Sequence, residues 1–549
     1  MKHSISLRFL FVLTWLLALV LLAACSAEPE VEPTPILPPP NVNVGEIGTP
    51  VGGGGDTAVS PTLEPGQVIS GTAVPDAAST PEATPTLAAT ATETGPPAAT
   101  PVTNPPVQAI SGAPLPTISR DLLFLADGAL KRWNQRTQQI EVVLPGPVPA
   151  ARVRENANQW NPVVGDMTDF SVSADGKRAV AARLTAVIPV TRTNTLGGNE
   201  YPDVDTQHEL WFTDLVSNET WRIVSRVDNL RGLALSPDAR HVAFQGASLD
   251  GNYAVQPSGE LVLHVYFLPT GGGAPGSITN AATCNRYCGG LAWHPDNNLF
   301  VWNDNTAVWL QNLAGRESEQ LIPNRPFNEQ APDIANVAVY SPIAWANNGR
   351  YLLLWKGGWE GGSRAVFDVP TKSLVDVPDT AVYVNEFPTE VMWMPDARLF
   401  VLRSETGTGA FQPRAELWRF QPEQNTIVKE ESVVLSNQNV GAAGGQHLDD
   451  GRFAYVLFAQ DALNTGAGAY HLVSFNETPE RVNASPPVPF MPGTATAFWS
   501  KDGYGVLIMT QEYGRVYYAQ ADGDYLYDVT AVLGAEPHAF HWQPEIVVP

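Results

Sequence analysis

Cysteine is almost absent from this chain, which has three in 549 residues. Cys25 ends an apolar N-terminal run, whereas Cys284 and Cys288 stand close together in the sequence CNRYC. A metal site would need two further ligands at compatible spacing, and none stands nearby. In an oxidising compartment we therefore expect Cys284 and Cys288 to form a disulfide that closes a small loop.

Positive charge is also scarce. The formal net charge is −24 at pH 7, and residues 27–116 contain neither Lys nor Arg. Residues 119–549 carry 30 Lys and Arg against 47 Asp and Glu. This balance argues against nucleic acid as a partner and against direct docking on anionic lipid headgroups.

The N-terminus has an apolar run that is too short for a confident membrane span. Lys2 and Arg8 precede the apolar residues 9–24, which is the pattern of a secretory signal. The run closes on LAAC (residues 22–25), which resembles the bacterial lipobox. The resemblance implies that residues 1–25 are a lipoprotein signal peptide, that Cys25 carries the acyl anchor, and that the protein is extracytoplasmic and held on a membrane. An ordinary cleaved signal or an uncleaved anchor is the alternative. Ser26 leaves open whether an outer membrane, in a cell that has one, carries the anchor.

Residues 26–118 are rich in Pro, Thr, Ala and Gly, as in EPEVEPTPILPPP and VGGGGDT. Such a composition offers too little apolar surface to offset chain entropy. The segment is predicted to be a disordered linker that lifts residues 119–549 away from the membrane.

A motif that returns seven times dominates residues 119–549. An apolar or Trp residue is followed by a four-residue turn centred on Asp or Asn, and then by a short run of β-formers. The turns are SADG (173–176), SPDA (236–239), HPDN (294–297), ANNG (346–349), MPDA (394–397), LDDG (448–451) and SKDG (500–503). Repeats of about 50 to 60 residues that consist of β-hairpins predict an all-β propeller with four-stranded blades.

The pattern resembles the TolB-type, or WD40-like, propeller repeat, whose motif is a Trp, a Ser-Pro-Asp-Gly turn and an apolar strand. Trp293, Trp345, Trp393 and Trp499 occupy the Trp position. These Trp residues are predicted to pack between blades, and the turn Asp residues to cap their own turns. The resemblance implies a fold and no particular activity.

The chain ends predict how the ring closes. AFHWQPE (539–545) is similar to an eighth start with Trp542 in the Trp position, and residues 121–144 read as the later strands of a blade that lacks its first. We expect eight blades closed by the C-terminal strand. Seven is the alternative, if the repeat at 447, which lacks the Trp, is an insertion.

One side of the predicted disc collects the long connections, among them 184–208, 323–341 and 357–363. A scaffold places binding on such a face, and exposed Trp, Tyr and Arg make strong contacts there. Trp359, within GGWEGGS, is the leading candidate. The other candidates for binding are Glu360, Tyr253, Tyr201, Tyr287, Tyr383, Phe411, Arg414 and Trp160.

Catalytic motifs are missing: no GxSxG elbow, HExxH or Walker loop occurs. The sequence therefore favours a lipoprotein that binds an envelope protein, a peptide or a glycan without catalysis, and no cofactor is expected. The alternative is an extracytoplasmic, glycan-directed hydrolase or lyase with paired carboxylates in the central funnel. Calcium at Asp203 and Asp205, or at Asp522 and Asp524, is a weaker expectation because no complete loop pattern is present.

Overall fold

Antiparallel sheets of four strands repeat along the chain in the computed structural model. The residues described are 116–147, 163–195, 198–271, 278–285, 287–314, 318–328, 333–359, 361–383, 389–405, 411–435, 440–459, 469–473, 480–481, 495–510, 515–520 and 526–544.

Seven blades are each formed by consecutive strands. Blade 1 contains β4 (Met167–Val172), β5 (Arg178–Asn194), β6 (Asn199–Asp214) and β7 (Thr220–Asp228). Blade 2 contains β8 (Gly232–Leu235), β9 (His241–Gly246), β10 (His264–Pro269) and β11 (Thr279–Thr283). Blade 3 contains β12 (Cys288–Trp293), β13 (Leu299–Asp304), β14 (Ala307–Asn312) and β15 (Ser318–Pro323). Blade 4 contains β16 (Val339–Trp345), β17 (Tyr351–Gly357), β18 (Gly361–Asp368) and β19 (Ser373–Asp376), and β20 (Val382–Tyr383) also pairs with β18.

The remaining consecutive blades follow the same order. Blade 5 contains β21 (Glu390–Trp393), β22 (Leu399–Glu405), β23 (Phe411–Gln421) and β24 (Thr426–Val434). Blade 6 contains β25 (Val440–His447), β26 (Phe453–Ala459), β27 (Ala469–Val473) and β28 (Glu480–Arg481). Blade 7 contains β29 (Ala495–Trp499), β30 (Gly505–Thr510), β31 (Arg515–Gln520) and β32 (Leu526–Asp528), and the short helix α1 (Thr530–Leu533) follows.

A further four-stranded sheet joins the two ends of the described chain. It consists of β1 (Leu122–Ala126), β2 (Ala129–Trp133), β3 (Ile140–Leu144) and β33 (His538–Trp542), with β33 antiparallel to β1. We call it the closing sheet. The all-β propeller of four-stranded blades and its closure by the C-terminal strand are confirmed, and the number of blades formed by consecutive strands is seven, the alternative to the expected eight. The repeat at 447 forms blade 6, so it is no insertion, and Trp542 lies in the closing sheet.

The repeated Trp residues join neighbouring blades. The indole N–H groups of Trp293, Trp345, Trp393 and Trp542 donate to the carbonyls of Ala234, Ala292, Ala344 and Phe498 at 3.0 to 3.2 Å. Each acceptor directly precedes the Trp position of the previous repeat. Trp345, Trp393 and Trp542 are also buried, each 8% exposed, and Trp293 is half-buried. The spacing of the repeat thus places one apolar body and one hydrogen bond at successive blade interfaces.

The turn acids cap their own backbone turns, as predicted. Asp175 accepts hydrogen bonds from the Ser173 hydroxyl at 2.6 Å and the Lys177 amide at 3.0 Å, and Asp238 and Asp502 repeat the arrangement. The fourth residue of each turn has a positive φ, for example 68° at Gly176. Glycine is favoured at that conformation because it lacks a Cβ atom.

The two faces of the propeller differ in their connections. The turns between first and second strands and between third and fourth strands lie on one side, which we call the short-turn face. The links from second to third strands and from blade to blade lie on the other, which we call the loop face. Within the described residues, no helix is long and apolar enough to span a membrane.

Candidate functional site on the loop face

Two aromatic side chains lie exposed together on the loop face of blade 4. Trp359, in the turn between β17 and β18, is 51% exposed, and Phe327, in the connection before β16, is 36% exposed. Their ring centroids are 4.3 Å apart and the rings are inclined at 45°. We call them the aromatic pair. Two large apolar side chains held together in water form a surface that a ligand can cover.

The β17–β18 hairpin sets the position of Trp359. Gly357 pairs with Gly362, and the amide of Gly358 donates to the carbonyl of Gly361 at 2.7 Å, so the turn is tight. A Cβ atom on Gly362 would lie 2.0 Å from the indole of Trp355. Glycine is therefore required where Trp355 crosses the hairpin, and the tight turn presents Trp359 at its tip.

The sequence identified Trp359 but missed Phe327. Phe327 stands in NRPFNEQ, a polar segment with no periodicity that would single out its aromatic ring. The two residues are far apart along the chain, and the fold brings them together. Glu360, which follows Trp359, lies outside the described residues.

Tyr253 and Tyr201 lie away from the aromatic pair, where blade 1 meets blade 2. The connection 184–208 was expected to be a loop. Instead β5 and β6 remain paired with each other out to Asn194 and Asn199. Their outer parts extend beyond the residues that pair with β4 and with β7. We call residues 186–194 and 199–206 the ribbon. β-branched residues such as Val187 and Thr191 favour strands there.

A buried polar network fixes the ribbon to blade 2. Asp205, 3% exposed, accepts hydrogen bonds from Arg192, from Asn229 at 3.0 Å and from the Tyr253 hydroxyl. The hydrogen bond to Asp205 raises the pKa of Tyr253, and burial adds to the effect. Burial likewise raises the pKa of Tyr201, whose ring packs on Gly259. The hydroxyl of Tyr253 is thus used in a hydrogen bond within the protein. Asp205, one of the residues considered for calcium, is hydrogen-bonded to protein groups.

The other candidate residues are dispersed. Tyr287 is 44% exposed and lies in the loop that the Cys284–Cys288 disulfide closes. The Cα atoms of the two cysteines are 5.3 Å apart. Arg414 lies in β23 opposite Arg403. Tyr383 pairs with Gly361 through its backbone, and Phe411 begins β23; their side chains lie outside the described part of the structure. Trp160, Cys25, Asp522 and Asp524 also lie outside it.

The alternative of a hydrolase or lyase would need paired carboxylates in the central funnel. Glu390 begins β21, and burial raises the pKa of Glu390. Its carboxylate accepts the backbone N–H groups of Gly444 and Gly445 at 2.8 and 2.6 Å. This acid therefore joins blades 5 and 6. Among the described residues, no group of three or more His, Cys, Asp and Glu side chains is placed to hold a metal ion.

The comparisons with known proteins concern the fold. No family model and no curated protein matches the chain. Among solved structures, the chain is similar to Porphyromonas gingivalis dipeptidyl peptidase 4, with 10% identity, 75% of this chain and 59% of that chain covered, and a TM-score of 0.44. TolB from Acinetobacter baumannii has 11% identity, 67% and 83% coverage, and a TM-score of 0.30. The periplasmic gluconolactonase PpgL of Pseudomonas aeruginosa has 14% identity, 77% and 99% coverage, and a TM-score of 0.34.

These similarities leave the activity open. The chain spans 59% of the length of the peptidase structure. A function for this chain must be argued from its own surface.

Proposed function

We propose that this protein is a non-catalytic binding protein of the cell envelope, whose loop face binds a protein, a peptide or a glycan. The aromatic pair carries the proposal: Trp359 and Phe327 remain 51% and 36% exposed while in contact with each other. Exposed aromatic residues that are already ordered lose little entropy on binding and bury much apolar area.

The proposal predicts that binding depends on the aromatic pair. Trp359→Ala and Phe327→Ala should each weaken capture by about 1 to 3 kcal/mol, or roughly 5- to 150-fold, without a matching loss of stability. Capture is measured from an envelope extract and on peptide and glycan arrays, using the full chain. Val216, 58% exposed in a turn of the short-turn face, offers a matched control. If Val216→Ser abolishes capture while the aromatic variants bind normally, the assigned face is wrong.

The location in the envelope rests on the sequence. We propose that Cys25, at the end of LAAC, carries the lipid anchor and that residues 26–118 connect it to the propeller. Cys25→Ala should release the protein into the medium or the soluble envelope fraction. A variant that still needs detergent for extraction would show that the apolar segment, and not acylation, holds the protein.

A further inference from the structure

The connection between β15 and β16, which carries Phe327, is closed at its neck by hydrogen bonds. The backbones of Arg325 and Ala338 exchange two of them, at 2.7 and 2.9 Å. Directly before the neck, the side chain of Asn324 donates to the last carbonyl of β13 at 2.7 Å and accepts the backbone N–H of Tyr340 at 2.8 Å. Both ends of the connection are thereby fixed to blades 3 and 4. Phe327 lies two residues beyond this neck, so its position is set before a ligand arrives.

The geometry of the aromatic pair fits an aliphatic side chain better than a sugar ring. The two ring centroids are 4.3 Å apart and the ring planes are inclined at 45°. A sugar stacks flat on an aromatic face, so two rings serve one sugar together only when they are nearly coplanar. Rings in contact at this inclination instead form a wedge. An aliphatic side chain, such as that of Leu, Ile or Met, can contact both rings of the wedge at once.

Polar side chains of the two elements that carry the pair have partners within the protein. In the connection, Asn336 Nδ2 donates to Asp333 Oδ2 at 2.7 Å. In the β17–β18 hairpin, Lys356 forms an ion pair with Asp376 at 2.6 Å. A glycan site needs polar side chains that are placed to hydrogen-bond the ligand, and these four bond one another. The same connection also presents Ile334, which is 54% exposed and apolar. The surface therefore favours an apolar contact.

The exposed area of the pair indicates the size of the partner. With Trp359 51% exposed and Phe327 36% exposed, the pair offers roughly 200 Å² for contact. A stable interface between two folded proteins buries about 800 Å² on each partner. The pair alone is thus too small to hold a second copy of this chain, and its area suits a short segment of a protein.

The charge of the chain indicates the sign of the partner. Residues 324–336 and 357–363, the two segments that contain the pair, have three acids and one arginine in their sequence. Residues 119–549 carry 30 basic and 47 acidic residues, a balance of −17. Such a surface attracts a segment that contains Lys or Arg and repels an acidic one.

We propose that the aromatic pair binds a short basic segment of another protein, with one aliphatic side chain of that segment in the wedge between Trp359 and Phe327. The apolar contact gives affinity, and the Lys or Arg residues that flank it are attracted by the acidic surface. This inference rests on the proposed function, because it names the partner of the same site.

Selection from a random peptide library tests the chemistry of the segment. The library is displayed on phage and selected on the full chain in detergent. Peptides that are enriched on the natural chain and not on Trp359→Ala should share an aliphatic residue flanked by Lys or Arg. In a synthetic peptide of this set, replacing the aliphatic residue by Ser should weaken binding roughly 5- to 30-fold. Replacing the Lys and Arg residues by Gln should remove the weakening of binding by added salt.

Phe327→Leu distinguishes an apolar contact from stacking on a sugar, because it keeps an apolar wall and removes the aromatic face. It should bind the selected peptide within about fivefold of the natural chain, whereas stacking on a sugar would be lost. Val216→Ser, on the short-turn face, is the matched control and should bind the peptide as the natural chain does.

This inference and the proposed function fail in different ways. If no peptide depends on Trp359, but a glycan array shows binding that Trp359→Ala abolishes, the ligand is a glycan and only this inference is overturned. It is also overturned if the enriched peptides are acidic or lack an aliphatic residue. If neither peptides nor glycans depend on the aromatic pair, the proposed function is overturned as well.

Discussion

At the scale of the residue, each interface Trp combines packing with one hydrogen bond. Trp393 is 8% exposed and donates to the carbonyl of Ala344 at 3.1 Å. Trp393→Ala should lower the free energy of unfolding by about 3 to 5 kcal/mol through the cavity it leaves. Trp393→Phe keeps most of the apolar volume and should cost about 1 to 3 kcal/mol, because the Ala344 carbonyl loses its donor. Urea unfolding measures both.

Trp359→Ala is the control for these substitutions, because Trp359 is 51% exposed and lies outside the blade interfaces. It should change the unfolding free energy little. Equal losses for Trp359→Ala and Trp393→Ala would contradict the distinction between an interface Trp and a surface Trp.

Two buried histidines should make stability depend on pH. Burial lowers the pKa of His208 and of His541 to about 4, and Lys501 contributes at His541. In the unfolded chain their pKa is about 6.5, so between these values the unfolded chain binds more protons. Stability is therefore fully present above pH 6.5 and is lost as the pH falls towards 4, by on the order of 3 kcal/mol for each histidine.

Urea midpoints at pH 7.5 and 4.5 measure this loss. His208→Gln and His541→Gln should each reduce the difference between the two pH values, and the double variant should reduce it further. If the double variant loses as much stability on acidification as the natural chain does, other groups cause the dependence.

At the scale of the element, the ribbon is held along one face only. Arg192, Asp205 and Tyr253 fix it to blade 2, whereas Val187 and Val204 on the opposite face are 39% and 48% exposed. Tyr253→Phe removes the donor to Asp205. It should lower the opening free energy of the ribbon by about 1 to 3 kcal/mol and therefore speed amide hydrogen exchange there. The melting of the blades should stay nearly unchanged.

Val204→Thr is the matched control, because it alters the exposed face and leaves the network intact. It should leave exchange in the ribbon as it is. Exchange that is unaffected by Tyr253→Phe would show that the ribbon is held by its backbone pairing alone.

Local, periodic features were predictable from the sequence, and contacts between separate elements were not. The interface Trp and turn Asp residues recur at each repeat, so Trp393 and Asp238 were recognised from spacing alone. The ribbon was missed because Pro189 and Pro202 indicate a loop. Pro189 pairs with Val204 and Pro202 pairs with Thr191, so the strand pairing continues across both prolines. The contact of Phe327 with Trp359 could be recognised only in the folded structure.

At the scale of the whole molecule, the turns of the short-turn face bind one another around the ring. The amide of Ala174 donates to the carbonyl of Pro237 at 3.0 Å, and the amide of Asp449 donates to the backbone carbonyl of Lys501 at 2.8 Å. Near the N-terminus of the described chain, Arg120 forms ion pairs with Asp449 and Asp502 at 3.0 and 3.2 Å. These contacts hold the short-turn ends of neighbouring blades together.

Closure of this ring depends on one strand. β33 pairs with β1, Trp542 donates to the Phe498 carbonyl at 3.0 Å, and Gln543 donates to the Gly176 carbonyl at 2.7 Å. Deleting residues 537–549 should expose the backbone edge of β1, which can pair with other chains, and the protein should aggregate. Trp542→Ala keeps the strand and should cost about 3 to 5 kcal/mol while the protein stays soluble. Light scattering and thermal melting distinguish the two variants. A truncated protein that melts and stays soluble like the natural chain would show that the ring holds without β33.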